Sequence, residues 1–260
     1  MGIINITPDS FYAGSRVDTE EQIAARAIAM VAEGADILDL GAYSSRPGAA
    51  DVPVGEELDR LRRALAVVRS AVGNSIPVSV DTFRAEVARK AVGEWGADIV
   101  NDISGGEPDP GMFDAVAELR CPYILMHMRG TPANMQDMTD YADVTSDVIR
   151  ELSVKTGILE EKGVADVIVD PGFGFAKTLA QNYELLRNLD TFSILGKPVL
   201  VGVSRKSMIT RLLGITAAEA VTPTAVLGAL ALERGAAVLR VHDVREARQS
   251  IQLLNALNSH

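Results

Sequence analysis

Short apolar segments rich in isoleucine and valine recur with an average spacing of about 34 residues, and this recurrence constrains the fold more than any other feature. They cover residues 2–6, 37–40, 77–80, 99–100, 123–126, 167–169, 199–203 and 238–241. Because each segment is short and mostly unbroken, the pattern is typical of strands that are buried on both faces of a parallel sheet.

Amphipathic patterns between these segments predict helices over 19–33, 56–72, 144–161, 178–188, 222–233 and 244–257. Thr19 and Gln22 have the spacing of a capping box, and glycines at 34, 96, 163 and 235 are typical of helix ends. Eight strands alternating with helices predict an α/β fold, a single (β/α)8 TIM barrel, with one domain over residues 1–260. A doubly wound open sheet is the alternative, but no glycine-rich dinucleotide-binding sequence follows the first strand.

The charge balance and the single cysteine narrow the class of protein. Lys and Arg number 25 against 35 Asp and Glu, a net charge of −10, which argues against nucleic acid or an anionic membrane surface as a partner. There is no apolar run of membrane-spanning length, and Met1 leads directly into the first strand without a visible signal peptide. Cys121 cannot form an internal disulfide and is expected to be a packed small residue. We therefore expect a cytoplasmic protein.

Nearly every predicted strand ends in a polar side chain, and in a barrel the carboxyl ends of the strands carry the chemistry. These residues are Asn5, Asp39, Asp81, Asn101, Asp102, His127, Asp170, Ser204, Arg205, Lys206, Arg240 and His242. A polar loop start explains any one of them, but not the whole set. The carboxylates and amides suit a planar heterocycle with N–H donors, and the cations suit a phosphate or carboxylate. Arg205 taken alone is expected to be a solvated surface residue.

Sequence patterns for other chemistries are missing. No Cys/His spacing matches a zinc site, and no G-x-S-x-G surrounds Ser204, so we expect neither a structural metal nor a covalent nucleophile. A magnesium ion could arrive with a pyrophosphate group, and Asn5 could give it one oxygen. The long segments 7–17 and 42–54, the second containing Arg46, are expected to be binding loops or lids.

Eight ordered motifs resemble those of the dihydropteroate synthases, in the pterin-binding family. They are 5–11 (NITPDSF), 45–48 (SRPG), 79–82 (SVDT), 100–106 (VNDISGG), 125–132 (LMHMRGTP), 170–175 (DPGFGF), 202–207 (GVSRKS) and 240–244 (RVHDV). Any one of these motifs is a weak signal, but eight in order, spread from residue 5 to residue 244, are highly specific.

The resemblance implies an enzyme of folate biosynthesis, a transferase that joins p-aminobenzoate to 6-hydroxymethyl-7,8-dihydropterin diphosphate. It implies a catalytic role for Asp81, Asp170, Lys206 and Arg46. The implied contacts are Asp81, Asn101, Met126, Asp170 and Lys206 for the pterin; Asn5 (through Mg²⁺), Arg240 and His242 for pyrophosphate; and Phe11, Ser45, Arg46, Pro47, Phe175, Lys206 and Ser207 for p-aminobenzoate. The resemblance also implies competition by sulfonamides and a homodimer formed through the late helices 222–233 and 244–257.

The sequence departs from the family pattern at the second loop. Tyr43 stands where a glutamate is usual, and Ser45 stands where a threonine is usual, which keeps the hydroxyl but loses a methyl group. The chain also begins almost at the first strand, without the usual short lead-in, which is expected to expose apolar surface at the bottom of the barrel. Two other functions remain open: a pterin-binding methyltransferase domain, which would need neither the pyrophosphate cations nor the p-aminobenzoate loop, and a non-catalytic pterin-binding paralogue.

Overall fold

A computed structural model describes residues 1–6, 19–43, 52–131 and 134–259. Within these ranges, eight strands form one parallel sheet in the order β1 to β8. They are β1 Gly2–Asn5, β2 Leu38–Gly41, β3 Val78–Asp81, β4 Ile99–Asp102, β5 Tyr123–Met126, β6 Val167–Asp170, β7 Val199–Val201 and β8 Ala236–Leu239. The sheet closes through a parallel bridge between Gly2 and Val241, where the Ile3 amide donates to the Val241 carbonyl at 2.9 Å. The predicted (β/α)8 barrel is confirmed, and the alternative of an open doubly wound sheet is wrong.

Helices follow the strands around the outside of the barrel. They are α1 Glu20–Ala32, α2 Val54–Val72, α3 Ala85–Gly93, α4 Met112–Leu119, α5 Val144–Glu161, α6 Leu179–Arg187, α7 Ser207–Leu213, α8 Val221–Glu233 and α9 Val244–Asn258. The predicted capping box of α1 is confirmed, because the Gln22 amide donates to Thr19 Oγ1 and the Thr19 amide donates to Gln22 Oε1. The glycines expected at the helix ends all have the positive φ that this position requires.

The last strand begins two residues earlier than the apolar pattern predicts. Ala236 and Ala237 are strand residues, although alanine is not enriched in strands, and Val241 lies beyond β8. Val241 still takes part in the sheet, but through its bridge to β1. The apolar pattern over 238–241 therefore marks the segment that closes the barrel as well as part of the strand itself.

Two apolar layers support the barrel. The larger lies between the sheet and the helices, and it includes Ile4, Leu40, Val80, Val100 and Leu125. A separate cluster brings Ile99, Ile124 and Leu200 together with Met1, and partly buried Ile37, Ile168 and Val238 pack on it. These side chains come from several strands, so they fill the lower part of the barrel interior.

Two further expectations can be compared with the structure. Cys121 is buried just before β5, so the prediction of a packed small residue is confirmed, and burial raises the pKa of its thiol to about 11. In the described part of the chain, no single helix is long and apolar enough to cross a membrane. The segments Ser207–Leu213 and Ala218–Glu233 reach that length and apolar composition only when taken together, as a pair bent by 102°.

Candidate active site

A layer of polar side chains lies directly above the apolar filling of the barrel. Side chains two residues apart on a strand point to the same face. Where an apolar side chain fills the barrel interior, the side chain two positions later therefore also points into the barrel. The pairs are Ile37 and Asp39, Ile99 and Asn101, Ile124 and Met126, Ile168 and Asp170, Leu200 and Gly202, and Val238 and Arg240. The alternation explains why so many candidate residues meet at the carboxyl end of the barrel.

An ion-pair network joins one side of this layer. Arg240 contacts the Asp39 carboxylate through Nε at 2.7 Å and Nη2 at 2.6 Å, and its Nη2 lies 2.9 Å from Asp81 Oδ2. Asn101 donates its side-chain amide to Asp39 at 3.2 Å. Asp39 is completely buried, and burying its charge would be costly without these partners. Asp39 therefore fixes the orientation of both Arg240 and Asn101.

The environment shifts the pKa values of this network. Burial raises the pKa of Asp81 to about 7, and the nearby carboxylate of Asp39 adds to this rise, although Arg240 opposes it. Burial also acts to lower the pKa of Arg240, but Asp39 and Asp81 more than offset it and leave the pKa above its usual value. Asp81 is thus a carboxyl group that a ligand with N–H donors can readily hold in its ionised form.

Lys206 and Asp170 form the other side of the layer. Lys206 Nζ donates to the Phe173 carbonyl at 2.6 Å and lies 4.6 Å from the centre of the Phe175 ring. Burial lowers the pKa of Lys206 to about 8, while Asp170 acts to raise it. Burial likewise raises the pKa of Asp170, against the effect of Lys206. Asp170 also accepts a hydrogen bond from the Gly172 amide at 2.8 Å, which fixes its orientation.

Two glycines mark the points where these groups converge. A Cβ atom built on Gly202 would lie 3.9 Å from Asp170 Oδ2, from Lys206 Nζ and from Arg240 Cβ. A Cβ atom on Gly41 would lie 3.6 Å from Asn5 Oδ1 and 3.8 Å from Asp81 Oδ2. The absence of side chains at these positions leaves room for a ligand among two carboxyl groups, one amide and two cations.

His242 is held by Ser204 beside this layer. Ser204 Oγ accepts from the His242 backbone amide at 3.1 Å and lies 2.9 Å from His242 Nδ1. With the Ser204 hydroxyl proton directed to Nδ1, the ring proton lies on Nε2. Burial lowers the pKa of His242 to about 3, and Arg240 lowers it further, so the ring is a neutral donor.

An apolar cluster lies next to the charged groups. Met126, Met128, Met135 and Phe175 pack together with Ile103 and Ala176. Methionine and phenylalanine side chains offer a polarizable surface on which a flat ring can pack. Ser207 is exposed at the start of α7, directly after Lys206.

The placement of the sequence-predicted residues is uneven. The described residues Asn5, Asp81, Asn101, Met126, Asp170, Phe175, Lys206, Ser207, Arg240 and His242 all lie at the carboxyl end of the barrel. Phe11, Ser45, Arg46 and Pro47 lie outside the described residues. Tyr43, the first departure from the family pattern, packs edge to face on Phe83 with ring centres 4.9 Å apart.

Two expectations from the sequence are wrong. Asp102 does not line the polar layer, because it follows inward-facing Asn101 and so points outward; its oxygens accept from the Ser104 amide and hydroxyl, the Gly106 amide and the Tyr123 hydroxyl. Arg205 is buried rather than solvated, because it forms a two-point ion pair with Asp243 at 2.6 and 2.9 Å.

Sequence reasoning also missed residues that position others. Asp39 was noted only as a polar strand end, although its place two residues after Ile37 already indicated an inward side chain. The sequence indicates Ser204 as a polar strand end without the surroundings of a nucleophile, and its contact with His242 has no sequence signal because 38 residues separate the two.

The chain is similar to known proteins over nearly its whole length. A family model described as "Pterin binding enzyme" matches residues 1–242. The dihydropteroate synthase of Synechocystis sp. is 42% identical over 260 residues, covering 99% of this chain and 89% of that protein. The structure of Yersinia pestis dihydropteroate synthase with a sulfonamide drug superposes with a TM-score of 0.95 at 37% identity, covering 100% of this chain and 94% of the other. That of the Xanthomonas albilineans enzyme with 4-aminobenzoic acid gives 0.90 at 40% identity, covering 100% and 92%.

The fold and the shared length agree over nearly the whole chain. The chain therefore belongs to the dihydropteroate synthase family of pterin binding enzymes.

Proposed function

We propose that this chain joins p-aminobenzoate to 6-hydroxymethyl-7,8-dihydropterin diphosphate, giving 7,8-dihydropteroate and pyrophosphate. The observation that carries the proposal is the convergence of Asp81, Asp170, Lys206 and Arg240 around Gly41 and Gly202 at one end of the barrel. Carboxylates suited to a heterocycle and cations suited to a diphosphate meet there. The family relationship supports the same reaction.

The pterin is assigned to the centre of the polar layer. A carboxylate such as Asp170 pairs with the neighbouring N–H and NH2 donors of a pterin edge through two parallel hydrogen bonds. Asp81 and Asn101 offer further polar atoms, Lys206 offers a donor, and Met126 offers an apolar surface for the flat ring.

The diphosphate is assigned to Arg240 and His242. Arg240 supplies charge, and neutral His242 supplies the Nε2–H donor that its contact with Ser204 leaves available. In the free protein Arg240 is paired with Asp39 and Asp81. The diphosphate would therefore compete with Asp81 for the Nη2 donor of Arg240.

We also propose that magnesium accompanies the diphosphate, with the Asn5 side-chain oxygen as its protein ligand. Mg²⁺ keeps several waters and takes few protein ligands, so one amide oxygen beside a diphosphate suits it. In the described ranges no group of three or more His, Cys, Asp or Glu residues is placed to hold a metal ion. The bound ion would supply positive charge to the leaving diphosphate.

The p-aminobenzoate is assigned to the space beside Phe175, Lys206 and Ser207. The Phe175 ring offers a stacking surface, and Lys206 links this side to the pterin side. Phe11, Ser45, Arg46 and Pro47 are proposed to complete the pocket, with Arg46 as a cation for the carboxylate. The relatives solved with 4-aminobenzoic acid and with a sulfonamide drug support a shared site for substrate and inhibitor.

The chemistry is proposed to begin with loss of the leaving group. The bond between the exocyclic carbon and oxygen breaks, and its electron pair leaves with the diphosphate, stabilised by Arg240 and His242. The resulting pterin cation is stabilised by Asp81 and Asp170. The amine nitrogen of p-aminobenzoate then bonds to that carbon and releases a proton to solvent. Positional isotope exchange within the diphosphate without p-aminobenzoate supports this order, and its absence contradicts it.

A homodimer in the cytoplasm is proposed as the working form of the protein. Val226 and Leu230 on α8, and Leu253 and Leu257 on α9, expose large apolar side chains, and these two helices pack against each other. Large apolar side chains exposed on two neighbouring helices suit a protein interface. Sedimentation of the purified chain as a monomer contradicts the dimer.

The activity is tested by following formation of 7,8-dihydropteroate and release of pyrophosphate by the purified chain. Net turnover is expected only when both substrates are present, and a sulfonamide is expected to inhibit it in competition with p-aminobenzoate. A folded sample that binds the pterin without turnover contradicts the proposal, and methyl transfer to a corrinoid protein would point to the methyltransferase.

A further inference from the structure

Lys177 is a buried cation that the assignment of substrate contacts leaves without a role. It lies seven residues after Asp170 and is only 4% exposed. Its Nζ lies 3.1 Å from the Gly172 carbonyl, 3.0 Å from the Phe175 carbonyl and 3.0 Å from His127 Nδ1. An ammonium group has three donors, and each of these three contacts within the described structure offers an acceptor.

A chain of hydrogen bonds fixes the protonation of these groups. Because His127 Nδ1 accepts from Lys177, the ring proton lies on Nε2, which faces Glu151 Oε2 at 2.9 Å. Glu151 is held in turn by Arg129, whose Nη2 lies 2.5 Å from Oε1. Burial lowers the pKa of His127 to about 4, which agrees with a neutral ring. Burial also lowers the pKa of Lys177 to about 7, yet only the ammonium form satisfies all three contacts.

The carbonyls that Lys177 holds belong to the loop after β6, residues 171–177, and this loop touches the proposed substrate site. The Phe173 carbonyl accepts from Lys206, and the Phe175 ring lies beside Lys206 Nζ. The loop is bent through three left-handed residues, Gly172 with φ 73°, Gly174 with φ 82° and Ala176 with φ 50°. A left-handed alanine costs about 1–2 kcal/mol, so the conformation needs outside support.

We propose that Lys177 is a positioning residue that ties the loop after β6 to β5 and α5, so that Phe175 and Lys206 keep the spacing that p-aminobenzoate requires. The inference rests on the proposed function. Lys177 acts through the loop carbonyls and not by touching the substrate.

A second clamp on the same loop limits what the loss of Lys177 would do. Asn182 on α6 accepts from the Gly174 amide at 2.6 Å, and its own amide donates to the Thr178 carbonyl at 2.7 Å. Asp170 keeps its own hydrogen bond from Gly172. Removal of the Lys177 donors should therefore loosen Phe175 and Lys206 more than Asp170, and affect p-aminobenzoate more than the pterin.

The test compares Lys177→Met with Lys197→Met in the full chain. Methionine keeps the length of the side chain but donates no hydrogen bond. Lys197 is the matched control, because it is also largely buried and ion-paired, to Glu160 at 2.7 Å, but precedes β7 at the opposite end of the barrel. In Lys177→Met, kcat/KM for p-aminobenzoate is expected to fall about tenfold or more, since small displacements of positioning groups are costly. The Kd for the pterin diphosphate, measured by calorimetry without p-aminobenzoate, is expected to change less than about threefold.

The inference is overturned if Lys177→Met only lowers the amount of active protein and leaves the KM for p-aminobenzoate unchanged. It is also overturned if Lys197→Met loses as much kcat/KM as Lys177→Met. If Lys177→Met does not fold, Glu151→Gln decides, since Glu151 is partly exposed and supports the Lys177 ammonium both through His127 and by its negative charge. That variant is expected to raise the KM for p-aminobenzoate about threefold, and an unchanged KM overturns the inference. Wild-type chain without turnover would instead contradict the proposed function.

Discussion

Single residues of the polar layer combine charges that none of them could bury alone. Asp39 has no exposure to solvent, and it is tolerable there because Arg240 and Asn101 direct their donors at it. Lys206 is different, since its hydrogen-bonded partner is a backbone carbonyl and its pKa is already lowered. An ammonium group has three donors, so the hydrogen bond to Phe173 leaves donors that a ligand can use.

Lys206→Ala tests the role of Lys206 in ligand binding. Affinity for the pterin diphosphate is expected to fall about tenfold and kcat/KM about a hundredfold, because a charge-assisted donor is lost. Calorimetric binding and steady-state kinetics measure both. Lys162→Ala, which removes an exposed ion pair with Asp114, is the control and should change neither. Unaltered pterin affinity in Lys206→Ala would contradict the assigned role.

The two-residue period explains which site residues could be predicted from the sequence. Asn101, Asp170 and Arg240 each follow an apolar interior residue by two positions, so their meeting point was predictable. The same rule, applied strictly, would have excluded Asp102. Lys177 was not predictable, because its partners are loop carbonyls whose positions depend on left-handed residues and not on a strand pattern.

At the scale of elements, strands and helices followed local patterns closely, and loops did not. The predicted bounds of α5 and β5 agree with the structure, whereas the predicted β8 is displaced by two residues. The helix pattern is strong where an amphipathic face repeats over several turns. The loop after β6 depends instead on close packing, since a Cβ on Gly172 would lie 1.9 Å from the His127 carbonyl oxygen.

Gly172→Ala is therefore expected to destabilise the protein far more than Gly196→Ala. Its methyl group would collide with backbone, so a loss of more than about 3 kcal/mol in the free energy of unfolding is expected. Gly196 has a similar φ of 62° but open space around it, and Gly196→Ala should lose about 1–2 kcal/mol. Urea denaturation of both variants provides the measurement. Equal losses of unfolding free energy in the two variants would contradict the prediction, because they would show that the loop after β6 can move to accommodate the methyl group.

For the whole molecule, buried titratable groups make stability depend on pH in opposing directions. A histidine that is neutral in the folded state stabilises it above the ordinary pKa, and this stabilisation is lost as the pH falls, because the unfolded state then binds more protons. Asp81 has a raised pKa, so the folded state binds more protons than the unfolded state between pH 3.8 and about 7. In this range Asp81 makes the protein more stable as the pH falls. The contribution of a single histidine to the pH dependence of stability is therefore best measured by comparing the wild type with a variant that lacks it.

His242→Gln provides that comparison. The pKa of His242 falls from 6.5 to about 3 on folding, so its stabilising effect is complete above pH 6.5 and decreases below it. Between pH 7 and pH 5, the wild type is expected to lose about 2 kcal/mol more stability than His242→Gln. Denaturation curves at both pH values measure the difference. Parallel pH profiles for the two proteins would show that His242 is not buried in the neutral form.

The closing contact of the barrel has a consequence for how activity arises during folding. Gly2 bridges Val241, and the ion pair between Asp39 and Arg240 joins residues 201 positions apart. Contacts between distant parts of a chain form late, because the loop between them must first be ordered. A half-barrel of the early strands alone, with the helices that follow them, would lack Arg240, the cation for the leaving group. On refolding, recovery of turnover therefore lags behind recovery of helix content, and enzymatic activity reports on the final step of assembly.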